Sequence, residues 1–136
     1  MNRWRLITLA GVVLVIAVGY VRWSLSDHGH SQAQRRPVAV PVLSETARAG
    51  AQAFALHCAG CHGPDAGGTA AGPPLVDPIY RSAHHADASF LLAVRRGVPA
   101  HHWRFGDMPP VPAVTADDLA GIIRYVREVQ KANGIE

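Results

Sequence analysis

The sequence predicts an all-α domain over residues 44–136, carried behind one N-terminal apolar helix and a short linker. Three observations predict it. Apolar residues in three segments of the domain recur every three or four positions, and no segment alternates apolar and polar with the period of a strand. The stretch from Leu6 to Val21 carries no charge and is bracketed by arginines. The three helical segments leave more than half of the domain as Gly- and Pro-rich loop, so its centre must be filled by something other than side chains.

A chain of 136 residues is enough for one such domain and not for two. With 49% hydrophobic and 17% charged residues it is neither a disordered nor a low-complexity sequence. Only 2 cysteines, Cys58 and Cys61, exclude a disulfide framework. The pI of about 9.3 does not mark a nucleic-acid binder. Residues 1–43 hold Arg3, Arg5, Arg22, Arg35 and Arg36 against Asp27 alone, whereas eight basic and nine acidic groups balance in residues 44–136. The excess positive charge therefore belongs to the N-terminal segment, and the domain has no clustered basic face.

Taken in chain order, residues 1–25 read as a membrane anchor. As a helix, Leu6–Val21 rises roughly 24 Å, slightly short of the hydrocarbon core. Trp4 and Trp23 sit at its ends as interfacial aromatics, and Arg3, Arg5 and Arg22 reach outward. A cleaved signal peptide competes. Its best small-x-small sites are Ala17-Val18-Gly19, inside the apolar run, and Ser24-Leu25-Ser26, beyond Arg22 and Trp23. Neither site is well placed, so an uncleaved single span is expected. Arginine counts on the two sides do not orient it. Residues 26–43 are polar and then proline-spaced. They read as a flexible linker of roughly 20–25 Å root-mean-square reach, with His28 and His30 solvated within it.

Ser44 is placed to cap the first helix, expected over 45–57, with Glu45 in its first turn. Ala47, Gly50, Ala51, Phe54, Ala55 and Cys58 share its inner face. A long loop follows from Gly63 to about Tyr80. Asp87 opens a second helix, 88–96, with Phe90, Leu91 and Val94 inward and Gly97 as its stop. Pro99 to Ala113 is again irregular. Thr115 with Asp118 forms a near capping box for the last helix, 116–131, whose stripe is Leu119, Ile122, Ile123, Val126 and Val129.

Cys58-Ala59-Gly60-Cys61-His62 supplies the missing centre. C-x-x-C-H is the pattern of covalent haem attachment: two thiols add across the two vinyl groups and the adjacent imidazole reaches the iron. A thioredoxin-like pair needs a βαβ context, which is lacking, and a zinc site needs a second ligand pair. The paired His84-His85 and His101-His102 suit tetrahedral clamping poorly. For the other axial position, Met108 in Gly106-Asp107-Met108-Pro109-Pro110 is the one interior thioether. His101, His102, His84 and His85 are its rivals.

On these residues the domain resembles a class I monohaem c-type cytochrome, here membrane-anchored. Gly50, Phe54 and Cys58 resemble the family's first helix, and Tyr125 resembles the aromatic of its last helix, where the two cross. Gly72-Pro73-Pro74-Leu75 resembles the loop whose proline carbonyl accepts the axial histidine's ring N–H. The resemblance implies the small cytochrome c fold, three main helices around one covalent haem c. It also implies that Cys58 and Cys61 attach the haem, that His62 and Met108 are its axial ligands, that Pro73 carries the carbonyl and that Leu75 packs on the haem. The lysine-rich docking face of the mitochondrial members is missing, since Lys131 is the only lysine. The expected activity is one-electron transfer rather than catalysis, with an oxidase or a quinol-oxidising complex as redox partner. Arg95, Arg96, Trp103 and Arg104 are expected to rim the electron port. Covalent haem attachment on the outer side of an energy-transducing membrane implies a single-pass protein of the bacterial inner membrane with its haem domain in the periplasm. Two other classes stay open: a five-coordinate haem sensor or peroxidatic protein, and a haem subunit of a larger oxidoreductase.

Overall fold

A computed structural model describes residues 11–22 and 37–136. The chain divides into two compact units, Met1–Gln32 and Ala33–Glu136. In the first, residues 11–22 are helical, with the side chains of Val12 to Ile16 exposed. Among the described residues no helix is long and apolar enough to cross a membrane. The expected span starts at Leu6, and residues 1–10 lie outside the described residues, as do 23–36 with Trp23, His28 and His30.

The second unit is helical, and among the described residues it has no strand, only one isolated bridge between Val98 and Met108. Helix α1 (Glu45–His57) starts where the Ser44 hydroxyl accepts from the Ala47 N–H at 3.2 Å. Cys58 leaves helical geometry, and a single turn, α2 (Ala59–His62), carries the rest of the C-x-x-C-H segment to Gly63, whose φ is 80°. A 3-10 turn (Pro78–Tyr80) is started by Asp77, whose carboxylate accepts from the Ile79 N–H. Helix α3 (Asp87–Arg96) stops at Gly97, φ 73°. Helix α4 (Ala116–Ala132) begins in a complete capping box between Thr115 and Asp118.

The core lies between α1 and α4. Ala47 and Phe54 from α1 and Val126 and Val129 from α4 have no exposed surface. The Phe54 and Tyr125 rings meet at 5.2 Å, tilted by 56°, the offset geometry aromatic pairs prefer. The helices approach to backbone contact at Gly50 and Gly121, where the lack of a Cβ is what permits the crossing. Residues 37–43, from the stretch expected to be linker, make contacts of their own. Val38 and Leu43 pack on the core, and the Asn133 side chain exchanges two hydrogen bonds with the Ala39 backbone at 3.0 and 2.9 Å.

The three main helices fall where the apolar periodicity puts them, and the differences are local. Asp87 is the first helical residue and not the cap. Ala86 holds the cap position, and the Asp87 carboxylate pairs instead with Arg127 Nε at 2.8 Å. Leu91 does not face inward: it is outside the cavity lining, to which α3 contributes Phe90, Leu92, Ala93 and Val94. In α1, Ala53 is buried and Ala55 exposed.

Candidate functional site

One cavity of about 430 Å³ opens beside the α1–α4 core, within the range of small-ligand and cofactor sites. Its lining draws on every part of the domain: Phe54 and Cys58 at the end of α1, His62 in α2, Leu75, Phe90 and Val94 of α3, Met108, and Ile122 of α4. The surface is overwhelmingly apolar with a few convergent polar atoms, the chemistry that suits a flat hydrophobic cofactor held at a few points.

His62 is fixed from behind. Its Nδ1 lies 2.8 Å from the Pro73 carbonyl, which can only accept, so Nδ1 carries the proton and Nε2 carries the lone pair. Burial pushes the His62 pKa below its ordinary value, with the Pro73 contact opposing, which keeps the ring neutral. A neutral imidazole whose tautomer is set by a backbone carbonyl is ready to ligate a metal. Pro73 is itself held in a folded-back loop. The Ala66 carbonyl accepts from Leu75 N at 2.8 Å and Val76 N at 3.2 Å, with Ala66 buried at φ 60°.

Cys58 and Cys61 are both free thiols, half-buried and exposed respectively. Cys58 lines the cavity, whereas Cys61 is not part of its lining and packs against the backbone of Gly72, where a Cβ would come within 3.0 Å of the Cys61 carbonyl oxygen. Burial raises the Cys58 thiol pKa to about 11, with the neighbouring Cys61 adding to it, so the sulfur is protonated at neutral pH. The two thiols, three residues apart across the irregular Cys58 backbone, form no disulfide.

Met108 reaches the same cavity from a loop closed at its base. Val98 N donates to the Met108 carbonyl and Met108 N to the Val98 carbonyl, both at 2.9 Å. The Ala100 N–H donates to Asp107 at 2.9 Å, and Pro109 and Pro110 follow directly. His85, His101 and His102 also line the cavity, whereas His84 does not. The structure thus brings Cys58, His62, Pro73, Leu75 and Met108 to one cavity. Its lining fits a covalent haem: the Cys58 thiol, with Cys61 three residues on, a poised imidazole, a thioether and an apolar wall.

Three features of the wall were not read from the sequence. The Trp103 indole N–H donates to the Tyr80 hydroxyl at 3.1 Å and ties the Met108 loop to the 3-10 turn. Gln130, 1% exposed, donates to the Leu75 carbonyl at 2.8 Å and the Tyr80 carbonyl at 3.2 Å. Arg127 donates to Gln130 Oε1, to the Tyr80 and His85 carbonyls and to Asp87, and stacks over Phe90 at 5.0 Å. The available signal was Gln130 itself, a polar residue next to Val129 on an otherwise apolar stripe.

The family model for cytochrome c matches residues 47–130, most of the second unit. No curated protein and no solved structure matches the chain.

Proposed function

Because the chain belongs to the cytochrome c family, we propose that it is a class I monohaem electron carrier, held to a membrane by residues 1–25. One observation carries this reading: a single apolar cavity collects Cys58, a neutral His62 braced by Pro73, and Met108. A bound haem c supplies a one-electron iron couple, and histidine–methionine ligation sets it at a higher potential than two imidazoles do.

The chain's residues divide the remaining work. Cys58 and Cys61 would hold the group by thioether bonds, which would keep it bound in both oxidation states. His62 Nε2 and Met108 Sδ would ligate its iron, a donor set that suits an electron carrier. The Pro73 carbonyl orients the His62 ring. Leu75, Phe90, Val94 and Ile122 exclude water, which limits the rearrangement that accompanies each electron. Attachment chemistry of this kind belongs to the outer side of energy-transducing membranes, which supports a bacterial inner-membrane protein with its domain in the periplasm. Tethering raises the effective concentration of the domain near membrane partners, of which a quinol-oxidising complex and an oxidase fit best.

The test is the optical spectrum of the full chain made in a host competent for haem attachment. The pyridine adduct should show both vinyl groups saturated, and the ferric protein a methionine-to-iron charge-transfer band. Met108→Ala should keep the haem covalently bound, abolish that band and lower the potential. Rapid carbon monoxide binding by the untouched ferrous protein would replace this reading with a five-coordinate sensor or peroxidatic site. Recovery only as part of a large complex in mild detergent would make the chain a haem subunit.

A further inference from the structure

Four histidines besides His62 are brought together by the fold at one side of the cavity, three of them in its lining and His84 outside it. His84 and His85 follow the 3-10 turn, and His101 and His102 sit in the loop before Met108. The His85 and His102 ring centroids are 5.3 Å apart, His84 and His102 5.7 Å, and His84 and His85 4.7 Å. One ring nitrogen from each of His84, His85 and His102 lies within 4.8 Å of the other two.

We propose that His84, His85 and His102 bind one divalent first-row transition ion at the edge of the cleft, a site separate from the axial ligands. A tetrahedral ion with bonds of about 2.0–2.1 Å needs donors roughly 3.3 Å apart. Closing from the observed spacing takes side-chain rotation of about 1 Å per ring, and His84 and His102 are exposed and free to make it.

The surroundings are built rather than incidental. His85 is the fixed point. Its Nδ1 donates to the Ile79 carbonyl at 2.7 Å, which leaves Nε2 as the ligating nitrogen. Its own carbonyl accepts from Arg127, and its ring packs on Tyr80 at 5.0 Å. The loop that brings His102 is joined to the same Tyr80 through the Trp103 hydrogen bond. His101 stands next to the site with its ring 4.2 Å from His102, its Nδ1 donating to Pro99. Crowding disfavours protonation of His102, whose proton affinity is lowered by desolvation and then by His101, His85 and His84. Neutral imidazoles in this arrangement are borderline-soft donors, which select Cu²⁺ and Zn²⁺ over Mg²⁺ or Ca²⁺. Three protein donors leave the fourth position to water.

The experiment uses the tag-free, haem-loaded full chain titrated with ZnCl₂ and CuCl₂ in competition with a chromophoric chelator. One ion per chain is expected beyond the haem iron, with copper tighter than zinc. His84→Ala and His102→Ala should each weaken binding at least tenfold, the lower end of what even a second-shell loss costs. In His84→Ala, whose residue lies outside the cavity lining, the haem spectrum should stay unchanged. His28→Ala with His30→Ala should leave the affinity intact. Electron paramagnetic resonance of the Cu²⁺ form should show coupling to three imidazole nitrogens, a readout that needs no variant. Coupling to one or two nitrogens, an affinity unmoved by both His84→Ala and His102→Ala, or loss only with the His28/His30 pair would overturn the site. Loss of ion binding in His84→Ala with the haem spectrum intact belongs to the ion site alone, whereas a change in the methionine-to-iron band belongs to the axial assignment.

Discussion

Gly50→Ala tests the packing that holds the cleft in place. At Gly50 a methyl group would overlap the Gly121 carbonyl and stand 2.7 Å from the Ile122 backbone nitrogen. Ordinary contacts need about 3.5–4.0 Å, so α1 and α4 would have to part by roughly 1 Å or more. The atoms struck are backbone, and no side chain can rotate away. Overpacking of this kind costs about 3 kcal/mol, the upper end of the usual range. Alanine's better helix propensity returns about 1 kcal/mol, for a net loss of about 2 kcal/mol. In a domain of this size that lowers the melting temperature by about 8–16 °C. Gly121→Ala is milder: its methyl would meet the Gly50 Cα at 2.9 Å and N at 3.1 Å, and propensity offsets much of that. The assay is thermal unfolding of the haem-loaded full chain, followed by far-ultraviolet circular dichroism and by haem absorbance. A Gly50→Ala protein that melts within about 2 °C of the parent, or above Gly121→Ala, refutes the backbone-contact argument.

Further outcomes follow from single contacts. Tyr125→Phe keeps the ring against Phe54 but removes the 3.0 Å hydrogen bond from the Tyr125 hydroxyl to the Pro64 carbonyl, and should cost about 0.5–1.5 kcal/mol in denaturant unfolding. The Glu128 carboxyl is held below its ordinary 4.5 by the Ser44 backbone N–H first, then the Ser44 hydroxyl and Arg124. A depressed carboxylate stabilises the fold fully above pH 4.5, and that contribution is lost as pH falls below it. Melting temperature plotted against pH should therefore fall on the acid side, and Glu128→Gln should flatten that fall.

The sequence made the helices legible because each is a one-dimensional pattern. Ser44, Thr115 and Asp118 announce starts, and the stripe Leu119, Ile122, Val126, Val129 announces a face. The C-x-x-C-H segment was legible for the same reason, since its chemistry fixes both residue type and spacing. What stayed hidden depends on long-range return of the chain. Nothing local to Leu91 and Leu92 says which one turns toward the cavity. Nothing in two His-His dipeptides, each unsuited alone to clamping an ion, says that the loops holding them meet at Tyr80. The Arg127 and Gln130 contacts reach carbonyls on segments more than forty residues away, and carbonyls leave no mark in a sequence.

Those hidden contacts explain how so small a domain keeps a cavity open at all. Helices α1 and α4 pack directly on each other and need nothing else, but α3 buries only Val94. A helix with one buried residue has too little apolar contact to hold a wall against collapse. Polar groups hold it instead: Asp87 on Arg127, Phe90 under the Arg127 guanidinium, and Val111 N on the Val94 carbonyl at 2.8 Å. Gln130 and Arg127 at the same time fix the carbonyls of Leu75 and Tyr80 on the other flank of the cleft. The apolar surface of Phe90 and Leu92 thereby faces the cavity. Apolar surface arranged this way stabilises the fold only when a large flat group fills it, so retention of the cofactor and stability of the α3 side of the domain are one property, set by α4.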